Sequence, residues 1–113
     1  MSLSKDKVTN ELRSLNQRFH SESLEPKELF HALRQLGIEP IQSILVSLYP
    51  DSGNTWCGEL VDDSMGAIEF DIDLADPSNS TVQKLGDDRF KSRRGQILRS
   101  AVSELRAEQD KAR

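Results

Sequence analysis

Val8, Leu12, Leu15 and Phe19 recur at intervals of four, three and four residues. On an α-helix this places them within a stripe about 60° wide. The pattern predicts a first helix over Lys5–His20. So narrow a stripe fits one contact seam, made either with the chain's own domain or with a second copy as in a short coiled coil. After a polar link at 20–23, a second helix is expected from Pro26, a residue suited to the first helical position. Leu29, Phe30, Leu33 and Leu36 form its apolar face. Gly37 is placed to take the left-handed conformation, with Ile38 folding back onto Leu33 in a Schellman cap. Pro40 prevents continuation. The two helices together read as an αα-hairpin.

From residue 41 to 74 the period changes to two. Ile44, Val46 and Leu48 alternate with Leu45, Ser47 and Tyr49, and Ile68, Phe70, Ile72 and Leu74 alternate with Glu69, Asp71 and Asp73. Three antiparallel strands are expected. The first turn, Pro50-Asp51-Ser52-Gly53, places Gly53 left-handed and sets Leu48 opposite Trp56, Val46 opposite Gly58 and Ile44 opposite Leu60. The second, Asp63-Ser64-Met65-Gly66, has the same form. One face then carries Ile44, Val46, Leu48, Trp56, Leu60, Ile68, Phe70, Ile72 and Leu74, for the helices to cover. The other carries Leu45, Ser47, Tyr49, Thr55, Cys57, Glu59, Val61, Glu69, Asp71 and Asp73. Glu59 falls opposite Glu69 or Asp71, an unfavourable pairing of like charges.

Asp76-Pro77-Ser78-Asn79-Ser80 reads as the turn-rich exit from the sheet; the glycosylation sequon at Asn79 is read as a chance match. A short helical turn is expected over 81–85, stopped by Gly86, with Asp87 or Asp88 capping a last helix. Phe90, Ile97, Leu98, Ala101, Val102 and Leu105 make that helix's apolar face, Gly95 weakens its middle, and Arg94 falls within the face.

The expected fold is α+β, ordered α-α-β-β-β-α, in a single domain of 113 residues. A helical hairpin occupies 1–40, a three-stranded antiparallel β-meander 41–75, and a linker with the C-terminal helix 76–113. The helices are expected to pack on one face of the sheet, with packing on both faces as the alternative. A hydrophobic fraction of 35% and a charged fraction of 30% suit a soluble globular domain. No apolar run spans a membrane and the polar first nine residues are no signal peptide. The one cysteine, Cys57, forms no internal disulfide, which points to a reducing, cytoplasmic setting.

Charge changes the picture. Between Gln35 and Gln83 lie nine carboxylates and neither Lys nor Arg, while the rest of the chain holds 15 bases and the other ten acids. Charged residues commonly guard sheet edges, yet lysine, a frequent guard, is missing here. A face of one sign steers and orients a partner of the other. Tyr49, Glu59, Val61, Glu69, Asp71 and Asp73 are therefore the candidate partner-binding residues, mixing acids with an aromatic and an apolar anchor. The expected partner is a basic protein, and the expected class a non-catalytic binding module: an inhibitor, an immunity-type protein or an adaptor. The alternative is a nucleic-acid-associated factor using Arg89, Lys91, Arg93, Arg94 and Arg99, a basic run with no acid before Ser103. An acidic pI of 5.1 and the lack of stacking aromatics beside the arginines weigh against nucleic acid. Arg94, and with it Arg93, could instead reach over to the sheet's carboxylates.

Enzyme chemistry finds little support. His20 and His31 have no cysteine or spaced acid beside them, so no metal or cofactor is expected. Cys57 sits two residues from Glu59, a setting that raises a thiol pKa. Glu69, Asp71 and Asp73 stand about 6.5–7 Å apart along a strand, close enough to share a cation. Residues 71–78 nevertheless lack the glycine and terminal glutamate of an EF-hand loop. Monomer and homodimer both remain open.

Overall fold

A computed structural model describes residues 4–111. The elements are α1 (Lys5–His20), α2 (Leu29–Gln35), β1 (Ile44–Pro50), β2 (Thr55–Val61), β3 (Ala67–Asp73), β4 (Thr81–Gly86) and α3 (Arg93–Lys111). The strands form one antiparallel sheet in the order β1-β2-β3-β4. The class is α+β, with four strands where three are expected. Residues 81–85 are not a helical turn. Val82 and Leu85 are spaced like a helical pair, but the β-branched Thr81 and Val82 also suit a strand, and pairing with β3 supplies that strand's second ladder.

The expected αα-hairpin is not what forms, since α1 packs chiefly along α3 and β1 rather than on α2, but the start of α1 and the end of α2 are fixed by local chemistry. The Ser4 hydroxyl accepts from the Lys7 amide at the start of α1. At the end of α2, Gly37 takes φ +85°, the Ile38 amide donates to the Leu33 carbonyl at 3.0 Å, and the Gly37 amide donates to Arg34 at 3.0 Å. This is the Schellman cap. Helix α2 begins at Leu29 rather than Pro26, because residues 26–28 form a preceding turn.

Helices cover both faces of the sheet. On the inner face, Phe19 of α1 and Leu29, Phe30 and Leu33 of α2 pack against Leu45, Leu60, Ile68, Phe70 and Ile72. On the outer face, Leu98, Ala101, Val102 and Leu105 of α3, with Phe90 and Leu12, pack against Ile44, Val61 and Ala67. The expected strict alternation of β1 fails at a bulge. Leu45 pairs with Leu60 and Ser47 with Glu59, so Val46 is an extra residue. Ile44 and Val46 thereby move to the α3 side, and Leu45, expected outside, is buried inside.

The β1–β2 register also lies two residues from expectation, with Leu48 opposite Gly58 and Pro50 opposite Trp56. The loop is Ser52-Gly53-Asn54, closed by the Asp51 amide on the Thr55 carbonyl at 2.8 Å, with Gly53 at φ +64°. In this register Gly58 sits where a Cβ would lie 2.3 Å from the Ser47 carbonyl oxygen and 2.6 Å from Phe70 Cζ. Only glycine fits there. In the β2–β3 turn the left-handed residue is Met65 (φ +66°), not Gly66. The Asp62 carboxylate accepts from the Ser64 amide, the Ser64 hydroxyl and the Gly66 amide, and so draws the loop around itself.

Helix α1 lies along the outer edge of β1 and packs against α3. The buried Asn16 accepts from the Leu45 amide at 2.8 Å and donates to the Leu45 carbonyl at 3.0 Å, as a neighbouring strand would. Arg13 forms a two-pronged pair with Glu108 of α3 at 2.7 and 3.1 Å. The narrow stripe of α1 thus packs within the chain, with Leu15 and Phe19 toward the inner core and Val8 and Leu12 toward the outer.

Before α3 comes a 3-10 turn, Asp88–Phe90, and the helix is capped by Ser92, whose hydroxyl accepts from the Gly95 amide at 3.0 Å. Asp87 and Asp88 are not its caps. Gly95 is buried against the carbonyl of Arg89, while Arg94, expected in the apolar face, is exposed. That close approach moves the buried position one residue along. No helix among the described residues is long and apolar enough to cross a membrane.

Candidate functional site

Helix α3 covers only one end of the outer face. Beneath it Val61 is wholly buried, so this candidate partner-binding residue is removed from the surface. Glu59 stands opposite Glu69, as one of the two expected pairings requires. The like-charge pair is relieved by Arg89, whose Nε lies 3.0 Å from both Glu59 carboxylate oxygens and hydrogen-bonds one of them. The Glu59 side chain is 13% exposed. Arg89 therefore answers one carboxylate internally, and Glu59 is no longer available to an external cation.

The other end of the face is open. Tyr49 is 54% exposed. Beside it, Cys57, Asp71 and Thr81 share a row across the strands, since Tyr49 faces Cys57, Cys57 faces Asp71 and Asp71 faces Thr81. Glu69 and Gln83 form the adjacent row. Together they enclose a shallow recess of about 160 Å³. Glu69 and Asp71 are exposed and have no Lys or Arg within ion-pair distance among the described residues. Asp73 has a structural task, accepting from the Ala75 and Asp76 amides at 2.9 and 3.1 Å to shape the exit from β3.

The field of these acids is felt by their neighbours. The Tyr49 phenol is pushed up by the adjacent Cys57 sulfur, by desolvation, and by Glu69, Asp51 and Asp71. The Cys57 thiol is raised by burial, then by Asp71 and Asp51. Its Sγ lies 3.8 Å from Asp51 Oδ2. Donor atoms of Asp51, Cys57 and Asp71 fall within 4.8 Å of one another. A thiol kept protonated between two carboxylates is a hydrogen-bond donor, not a nucleophile. At pH 8, Cys57 is accordingly expected to alkylate several-fold more slowly with iodoacetamide than a free thiol, and Asp51→Asn with Asp71→Asn should restore much of the rate. A thiol reacting as fast as free cysteine contradicts this electrostatic picture.

The histidines have structural settings. His20 Nε2 donates to the Ser43 carbonyl at 2.9 Å, and its Nδ1 accepts from Gln109 at 3.3 Å. His31 lies at the surface, 3.6 Å from Glu22. The basic set is divided. Arg89 holds Glu59, Lys91 holds Asp88 at 2.7 Å, and Arg99 stacks 5.7 Å from the Phe90 ring centroid. Arg93 and Arg94 point to solvent at the first turn of α3, at different angles around it from Arg99. Three of the five cations are thus engaged within the chain, and Arg93 and Arg94 are exposed.

Thr81 and Gln83, which form the rim of the recess, fall outside the site expected from sequence, because a helical turn is expected where β4 forms. The β-branched pair Thr81-Val82 was the available signal. Comparison with protein-family models, curated proteins and solved structures finds no match for this chain.

Proposed function

We propose that the chain is a non-catalytic binding module that docks a basic protein on the open half of its outer sheet face. One observation carries this reading. On a single face Arg89 neutralises Glu59, while Glu69 directly opposite and Asp71 next along are left to solvent around an exposed tyrosine. A self-neutralising domain would have brought a cation to these acids as well. The binding surface is Tyr49, Glu69 and Asp71, with Asp73 at its border. An inhibitor, an immunity-type protein and an adaptor are the concrete forms of such a module. The non-catalytic part of the reading is supported by the protonated setting of Cys57 and the structural bonds of His20.

The test is charge reversal. Neither Glu69→Lys nor Asp71→Lys removes a contact that holds the fold, so the double variant should keep the wild-type circular dichroism spectrum and melting temperature. It should lose capture of its basic partner from lysate at physiological salt by at least tenfold. Undiminished capture by a folded double variant rules this surface out.

A further inference from the structure

The two edges of the sheet are treated differently. At β1 the helix α1 lies alongside and Asn16 occupies the Leu45 backbone groups as a strand would. At β4 no strand among the described residues neighbours the outer edge, and Thr81, Gln83 and Lys84 are exposed. Unpaired amides and carbonyls on such an edge form a template for an added strand.

This edge also lies between two recesses, one on each face. On the outer side is the acidic recess, with Thr81 and Gln83 at its rim and Asp71 and Glu69 one strand further in. On the inner side is a recess of about 320 Å³, lined by the apolar Val82, Ile68, Leu36 and Ile38 together with the acids Glu39, Asp62 and Asp63. An extended chain laid along β4 would point alternate side chains into each. Its outer side chains would start about 10 Å from β3, two strand spacings away, and a long cation could cross the short Thr81 to reach Asp71.

Resting on the reading of the acidic face given above, we infer that the basic partner enters as an extended segment that pairs with β4 as a fifth strand. Apolar residues of the segment face the inner recess, and Lys or Arg at every second position faces Glu69 and Asp71. A second copy of this chain is the poorer occupant. Its β4 would bring Thr81, Gln83 and Leu85 to the outer side and no cation, because Lys84 faces inward with Ile68. Lys84 and the irregular pairing near Ala67 and Gly86 blunt the far end of the edge. The segment therefore centres on residues 81–83.

The probe is a capped hexapeptide of alternating valine and arginine, titrated into the intact protein and followed by amide NMR. Two further versions are N-methylated at every second residue, one in each frame. Strand addition predicts chemical-shift changes and slowed amide exchange along β4. It also predicts at least tenfold weaker binding for one methylated frame and little change for the other, since only one frame turns its amides toward β4. A peptide of the same composition with its arginines in one block should bind at least fivefold less tightly. Binding that depends on Glu69 and Asp71 but is indifferent to the methylated frame overturns strand addition and leaves the acidic-face reading standing. Binding unchanged by Glu69→Lys with Asp71→Lys, or no binding at all, overturns both. Concentration-dependent protection of β4 without peptide overturns the inference in favour of self-pairing.

Discussion

Asn16→Ala is expected to destabilise the protein by about 3 kcal/mol, the sum of lost hydrogen bonds and of buried backbone groups left without partners. Asn16 is 5% exposed, and its side chain satisfies both the amide and the carbonyl of Leu45, itself fully buried. Asn16→Leu restores most of the volume but neither bond, so it should recover little of the loss. Asn16→Asp keeps an acceptor for the amide and sets a carboxylate oxygen against the carbonyl, and should be no better. Urea denaturation measures all three. Small losses throughout, or full recovery by leucine, would mean that volume and not hydrogen bonding matters at this edge.

The second large effect is expected at Gly95. Alanine there gains helix propensity worth about 1 kcal/mol. Yet its Cβ would lie 2.3 Å from the Arg89 carbonyl oxygen and 2.7 Å from Phe90 Cα. Both are backbone atoms, so a rotamer change cannot relieve the clash. Overpacking of this kind costs about 1–3 kcal/mol, and because the contacts fall on backbone a net loss toward the upper limit, up to about 2 kcal/mol, is expected. The exposed Gln96→Ala in the same helix should stay within about 0.5 kcal/mol of wild type. Displacing the turn that carries Arg89 would also loosen its pair with Glu59. With Glu59 and Glu69 then less compensated, added salt should raise the melting temperature of Gly95→Ala relative to wild type. A variant as stable as the parent would contradict the close packing of that turn on α3.

What could be read from the chain follows how local each signal is. The stripe of α1, the Gly37 cap and the perfect alternation of β3 are set by neighbours within a few residues, and each stands as expected. The bulge at Val46 is not local. Ile44, Leu45 and Val46 are all apolar, so pattern alone could not say which two adjacent residues would be divided between α2 and α3. Fourth-strand formation at 81–86 depends on the free edge of β3, which no window of sequence contains. At the candidate site, Tyr49, Glu69 and Asp71 share the face that alternation assigns them, whereas Val61 lies on its expected face but beneath α3, because alternation gives a residue's face and not what covers it. The arginine expected among the acids was Arg94, and the one found is Arg89, because the 3-10 turn aims the residue preceding Phe90 at the sheet.

The central expectation is that a basic protein docks on the open acidic half-face. A photo-crosslinking residue at position 49 in cells, compared with one at the exposed position 96 on α3, measures this directly. The expected result is covalent adducts from position 49 with one or a few proteins bearing a basic surface, absent from position 96 and abolished when Glu69→Lys and Asp71→Lys are introduced alongside. Adducts of equal yield at the two positions, or adducts that persist through the charge reversal, would contradict it.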